Sequence, residues 1–85
     1  MSREVRWLPQ AQRDLKRLDP PVRHRVVDAV KRFARTGEGD VVRLVGVKPP
    51  EYRLRVGDWR VRFTQDDEHH LLHVLRVLPR GKAYR

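Results

Sequence analysis

The sequence predicts an α+β fold, in which an N-terminal helical hairpin packs on one face of a small, mainly antiparallel sheet in the order β-α-α-β-β-β. Apolar residues recur every three or four positions before the glycine-containing stretch 36–39, and every second position after it. These are the periods of an amphipathic helix and of a half-buried strand. A chain of 85 residues can bury one hydrophobic core but not two, so we expect a single domain over residues 1–85.

The first half of the chain is predicted to hold one strand and two helices. Residues 4–8 alternate between apolar and polar, and Pro9 ends this strand. Residues 10–18 place their apolar side chains on one stripe of a helix. Asp19 is a suitable N-cap for a second helix, because the two prolines that follow it fit the first helical turn. The stretch 36–39, which contains two glycines, ends that helix.

The second half is predicted to form the sheet. Residues 41–47 could begin it, but a glycine and two nearby prolines make this segment partly irregular, so the order β-α-α-β-β-β does not count it as a strand. Residues 52–56 and 59–64 alternate clearly, and Gly57-Asp58 between them fits a two-residue type I′ or II′ hairpin turn. Residues 71–78 are apolar on both faces for most of their length, which is typical of a strand in the interior of a sheet.

The charge balance indicates a polyanionic partner. Twenty Lys and Arg against eleven Asp and Glu give a net charge of +9, which favours nucleic acid or an acidic protein. Sixteen of the twenty are Arg, whose planar fork suits phosphate, although an arginine-rich proteome is an alternative explanation. The absence of cysteine excludes disulfides and thiolate nucleophiles. Short apolar runs and no leading apolar segment predict no membrane span and a cytoplasmic location.

The predicted hairpin gathers four arginines on one face. A two-residue turn sets Arg55 opposite Arg60 and Arg53 opposite Arg62, on the side of the sheet away from the helices; we call these four residues the arginine face. Like charges directly opposite each other are unfavourable, and bound phosphates would relieve the repulsion. The hairpin strands contain no acidic residue. The alternative interpretation is a solvated strand face that blocks edge pairing.

Other chemistry receives little support. Neither the four histidines nor the acidic turn 66–68 is expected to bring three metal ligands to one point. The glycines of the stretch 36–39 do not follow a strand, as a phosphate-binding loop requires. We therefore predict no metal site and no small-molecule cofactor.

The run 52–63, together with residues 76–80 and the final Tyr84-Arg85, resembles the RelE/ParE toxin superfamily of type II toxin-antitoxin systems. The helix at 11–18 and the Val-Arg-Leu element at 42–44 follow the order of that superfamily. The likeness covers nearly the whole chain. Its individual motifs are short, and their order and spacing make the match specific.

The resemblance implies a ribosome-dependent endoribonuclease that cleaves mRNA in the ribosomal A site without a metal, by attack of a ribose 2′-OH on the adjacent phosphate. On the superfamily pattern, Arg53 and Arg55 contact phosphates and help to activate the 2′-OH. Arg60 and Arg80 stabilise the pentavalent phosphate, and Tyr84 stacks on a base or assists proton transfer. The further residues expected to bind RNA are Arg62, Arg76, Lys82 and Arg85.

The chain departs from the superfamily pattern at Arg53 and Arg55, where lysine is often found. Arginine in general has a pKa above ~12, so these positions favour electrostatic stabilisation over proton transfer. The resemblance also implies an acidic, partly disordered antitoxin as partner, besides mRNA and the ribosome. A ParE-like inhibitor of DNA gyrase and a non-catalytic nucleic-acid-binding module are the alternatives.

Overall fold

The computed structural model describes residues 2–82, and these form five strands, two α-helices and a short 3-10 helix. In chain order they are β1 (Glu4–Trp7), α1 (Pro9–Lys16), α2 (Pro20–Thr36), β2 (Asp40–Arg43), β3 (Tyr52–Val56), β4 (Trp59–Asp66), β5 (Leu71–Pro79) and the 3-10 helix Arg80–Lys82. No helix within residues 2–82 is long and apolar enough to cross a membrane.

The five strands form one sheet in the order β1-β5-β4-β3-β2. β5 pairs in parallel with β1 and antiparallel with β4, so the predicted interior position of the last strand is confirmed. The α+β class and the mainly antiparallel sheet are confirmed as well. The order gains one strand relative to the expected β-α-α-β-β-β, because the beginning of the segment 41–47 pairs regularly with β3 before Gly46 turns the chain at φ 77.

Local sequence signals explain the ends of the elements. Pro20 lies in the first turn of α2 after the N-cap Asp19, and Gly37 ends the helix in the left-handed region at φ 78. Gly57 has φ 58 while Asp58 keeps a negative φ, which is the pattern of a type II′ turn. That turn suits the twist of the two strands that it joins.

The core lies between the two helices and one face of the sheet. α2 contributes Val26, Val30 and Phe33, and the strands contribute side chains such as Phe63, which is 1% exposed. The Phe63 ring lies with its centroid 5.3 Å from that of Phe33 and 5.5 Å from that of Tyr52. The helices cover this face, and the paired arginines of β3 and β4 lie on the opposite face of the sheet.

The side chain of Asp14 links α1 to the part of β5 that has no neighbouring strand on the β1 side. β1 ends at Trp7, opposite Val74, and beyond this point α1 packs against β5 instead. The Asp14 carboxylate, 7% exposed, accepts a hydrogen bond from the Val77 backbone N–H at 2.8 Å. It also accepts from Arg76 Nε at 2.9 Å and Nη2 at 3.2 Å. These side-chain hydrogen bonds raise the pKa of Arg76.

We predict that Asp14→Ala lowers the free energy of unfolding by about 2–3 kcal/mol, because it leaves a buried N–H and a partly buried guanidinium without their acceptor. Asp14→Asn retains one acceptor oxygen and should lose about half as much. Urea denaturation measures both. Asp28→Ala, on the exposed side of α2, is the control and should change stability by less than about 0.5 kcal/mol. Equal effects of Asp14→Ala and Asp28→Ala would contradict this role.

A second prediction concerns pH and the turn between β4 and β5. Asp66 accepts hydrogen bonds from the side chain and the backbone N–H of His69, and these lower the pKa of its carboxyl. A lowered folded-state pKa stabilises the fold above the ordinary aspartate value, and this contribution disappears as the pH falls through the folded value, below about 4. Carbon NMR titration of Asp66 should show its midpoint moving upward in His69→Ala and unchanged in His24→Ala. An unmoved midpoint in His69→Ala would refute the assignment.

Candidate nucleic-acid interface

The predicted arginine pairs are present in the sheet. Arg55 lies opposite Arg60, and Arg53 lies opposite Arg62, on β3 and β4. The row continues onto β5, because Arg62 is also in register with Arg76. Strands lie about 4.8 Å apart, so Arg53, Arg62 and Arg76 form a line about 10 Å long across three strands on the face opposite the core.

The paired residues of the hairpin strands include no acidic residue, as the sequence shows, but carboxylates from outside the hairpin reach this face. Arg62 pairs with Glu51, which lies just before β3, and its Nε donates to that carboxylate at 3.1 Å. Arg76 pairs with Asp14, as described above. Both carboxylates come from elements that flank the hairpin. The charges of Arg62 and Arg76 are therefore partly neutralised.

Arg55 differs from these two in its exposure. Its Nη1 lies 3.9 Å from Asp40 Oδ2 on the neighbouring β2, and both side chains are 62% exposed. An exposed pair at this distance contributes little and is screened by salt. Arg55 thus keeps most of its capacity to bind an anion. Arg53, in register with Val42 on β2 and Arg62 on β4, is half-buried.

Arg60 is buried, which the alternative interpretation of a solvated strand face does not explain. Its side chain packs beside the β3–β4 turn, where Nη1 donates to the carbonyl oxygens of Gly57 at 2.8 Å and Trp59 at 3.0 Å. The residue is only 6% exposed, and it forms no ion pair within residues 2–82. Buried cations are normally paired with carboxylates. Here neutral carbonyls hold the group in place without cancelling its charge.

Two nitrogens of Arg60 remain available. Nη1 makes both hydrogen bonds of the side chain, so Nε and Nη2 have no partner within the described part of the chain. No fully buried side-chain nitrogen or oxygen of residues 2–82 lacks a hydrogen-bond partner. Nε and Nη2 must therefore each keep some contact with solvent, although the residue as a whole is 6% exposed.

The chain returns to the same turn after β5. Pro79 is in register with Trp59, and the Arg80 backbone N–H donates to the Asp58 carbonyl at 2.9 Å. The exposed 3-10 helix therefore brings Arg80 and Lys82 to the end of the sheet where Arg60 is anchored. Tyr84 and Arg85, predicted to contribute to the site, lie outside the described residues.

Each group of cations has its own chemistry. Arg60 is anchored at the β3–β4 turn, the Arg80 backbone is hydrogen-bonded to the same turn, and Arg55 lies opposite Arg60 on β3. Fixed cations of this kind can stabilise added negative charge on a phosphate. Arg62 and Arg76 lie farther along the face, and each forms an ion pair with a carboxylate. Among residues 2–82, no group of three potential ligands has the arrangement of a metal site.

The sequence signal for one of the acidic partners was available. Glu51 stands two residues before Arg53, so strand alternation places both on the same face. Asp14 carried no comparable signal, because its partners lie on β5, far along the chain.

Comparisons with known proteins agree with this architecture. Residues 5–84 match the family model described as "ParE toxin of type II toxin-antitoxin system, parDE". No curated protein sequence matches the chain significantly. A chain of the archaeal RelE-RelB complex from Pyrococcus horikoshii superposes with a TM-score of 0.80 at 25% identity, covering 98% of this chain and all of that one.

Two further structures are similar. A chain of the toxin-antitoxin complex RelBE2 from Mycobacterium tuberculosis has a TM-score of 0.76 at 30% identity, with 94% of this chain and 100% of that chain covered. A mutant of the E. coli toxin RelE in the free state has a TM-score of 0.65 over 98% of this chain and 87% of that one, and at 16% identity it supports the fold alone. Since the family model spans nearly the whole sequence, the protein belongs to the RelE/ParE superfamily and is a toxin of a type II toxin-antitoxin system with a RelE-like fold.

Proposed function

We propose that this toxin is a ribosome-dependent endoribonuclease that cleaves mRNA in the ribosomal A site without a metal. The ribose 2′-oxygen attacks the adjacent phosphorus and loses its proton, while the bond from phosphorus to the 5′-oxygen breaks and that oxygen gains a proton. The products are a 2′,3′-cyclic phosphate and a 5′-OH end. Such a reaction places an additional negative charge on the phosphoryl oxygens in the transition state, so fixed cationic donors accelerate it.

The observation that carries this proposal is the anchored guanidinium of Arg60. It is buried, it is held by two carbonyl oxygens, and it has no carboxylate partner within residues 2–82. Removing most of such a charge from bulk water is unfavourable, and an anion bound at the solvent-touching Nε and Nη2 would offset this cost. A phosphate that gains charge during the reaction would be bound more tightly in the transition state than in the ground state, which is the requirement for catalysis.

The remaining cations have graded roles in this proposal. Arg80 approaches the same phosphate from the 3-10 helix, and Arg55 holds a neighbouring phosphate on the exposed part of the arginine face. Arg53 contributes to the same backbone contact, while Lys82 and Arg85 add to the local positive potential. Tyr84 supplies a stacking surface or a proton.

Arg62 and Arg76 are proposed to act mainly as supports. Each is engaged with a carboxylate, so an RNA phosphate would have to share or displace that partner. Their contribution to affinity should therefore be smaller than that of Arg55 or Arg80. The guanidinium groups are poor bases, so the proton of the 2′-OH passes to another acceptor.

The structural neighbours that form complexes with RelB support an antitoxin as partner. A net charge of +9 makes an acidic segment the complementary ligand, and a segment that folds on binding can cover much of this small domain. We propose that the antitoxin covers the cations at the β3–β4 turn. The ribosome as target implies a cytoplasmic location.

Inhibition of DNA gyrase is the second candidate, because the matching family model is described as a ParE toxin. In a supercoiling assay with purified gyrase, this alternative predicts accumulation of cleaved DNA complexes. The endoribonuclease predicts unchanged supercoiling. A protein that binds RNA in a salt-dependent manner and neither cuts message nor affects gyrase would be a non-catalytic binding module.

We predict that the purified toxin cuts a defined mRNA only when translating ribosomes are present, with ends that map to the A-site codon. Removing one transition-state donor typically costs about 10²–10³-fold in rate, so Arg60→Ala should slow cleavage by that factor. Arg60→Lys retains the positive charge but lacks the planar guanidinium group. Its cleavage rate should therefore lie between those of Arg60→Ala and the wild type. Primer extension and single-turnover cleavage measure these effects.

Arg13→Ala, on the exposed surface of α1, serves as the charge-matched control and should cleave at nearly the wild-type rate. Thermal unfolding of each variant establishes that loss of activity does not reflect loss of fold. Intact message in a translating extract with folded wild-type toxin would overturn the proposal.

A further inference from the structure

A small cleft lies on the other side of the β3–β4 turn from Arg60. It has a volume of about 300 Å³ and is bounded by the first two turns of α2 and by the turn itself. Its apolar lining consists of Val22, Val26, Val56 and the half-buried Trp59. An aromatic wall in a cleft of this size can stack on one planar ring system.

Two opposite charges stand at this cleft without pairing. Arg25 of α2 and Asp58 of the turn both line it and both are exposed. Neither side chain forms a hydrogen bond or an ion pair within the described residues. A ligand that offers acceptors to the guanidinium and donors to the carboxylate would satisfy both groups at once.

We propose that this cleft binds the guanine base of an RNA strand whose phosphate lies at Arg60 and Arg80. Guanine presents two adjacent donors, N1–H and N2–H, that a carboxylate such as Asp58 can accept together. Its O6 and N7 are the acceptors that arginine binds in a bidentate manner, which suits Arg25. Adenine and cytosine offer a carboxylate one exocyclic amino group, and uracil offers a single N–H, so guanine alone satisfies both charges fully.

The turn connects this base site to the phosphate site. The carbonyl oxygens of Gly57 and Trp59 hold Arg60, and the Asp58 carbonyl accepts the Arg80 backbone N–H. The same three residues line the cleft. A base bound beside Trp59 therefore rests on the segment that positions both phosphate-binding arginines. This inference deepens the proposed function and depends on it for the identity of the RNA strand.

Fluorescence of Trp59 provides the test. The chain has two tryptophans, so a Trp7→Phe variant leaves Trp59 as the sole reporter. Titration with GMP should quench its emission through stacking, with an affinity about tenfold or more above those for AMP, CMP and UMP. Asp58→Asn and Arg25→Gln, each in the same background, should weaken GMP binding by about tenfold and leave AMP binding nearly unchanged. Glu68→Gln, at the opposite end of β4, should bind GMP as the parent does.

A competition arm identifies the source of the base. A short RNA oligonucleotide containing guanine should displace GMP, whereas the same oligonucleotide with uracil in place of guanine should not. Displacement by GTP but not by the guanine oligonucleotide would overturn the inference in favour of a free nucleotide. Equal quenching by all four monophosphates, or none, would also overturn it.

The cleavage assay separates the two proposals. Ribosome-dependent cleavage without selective GMP binding would leave the endoribonuclease in place and reject the base site. Selective GMP binding with intact message would retain the base site and reject the endoribonuclease.

Discussion

Repulsion between arginines in cross-strand register is the constraint on which the open face of this sheet depends. Arg53, Arg62 and Arg76 form one line across three strands, and Arg55 faces Arg60 beside it. A sheet cannot separate these charges, because strand spacing is fixed by the backbone hydrogen bonds. Each charge must therefore find a carboxylate, a set of carbonyl oxygens or an external anion.

The structure resolves this constraint differently at the two parts of the face. Arg62 and Arg76 take carboxylates from Glu51 and Asp14, and these pairs also attach the segment before β3 and helix α1 to the sheet. Near the β3–β4 turn, Arg60 receives only carbonyl oxygens. The positive charge that is not neutralised internally is thus concentrated at the turn, where the proposed chemistry takes place. In the proposed function, structural and phosphate-binding roles are therefore divided among residues of one type.

Much of this architecture follows from local sequence. The Gly57-Asp58 turn determines the hairpin register and therefore which arginines face each other, and the change of apolar period separates helices from strands. The burial of Arg60 was not predictable in the same way, because it depends on carbonyl oxygens that only the folded turn brings within reach. The role of Asp14 could not be predicted, because its hydrogen-bond donors lie on β5. Side-chain alternation relates only residues that are close together in one strand. The alternation rule that identified the arginine pairs could also have placed Glu51 on the same face, because it stands two residues before Arg53.

The parallel pairing of β1 with β5 has a consequence for synthesis of the toxin. Glu4 pairs with Leu71, and the β1–β5 ladder extends to Trp7 and Val74, so the sheet cannot be completed until nearly all of the described chain has been translated. Contacts between such distant segments form late and slowly, and domains that need them remain unfolded while the chain is still being extended. A nascent chain that still lacks β5 therefore has neither the strand that pairs with β1 and β4 nor the segment that carries Arg76 and brings Arg80 to the β3–β4 turn.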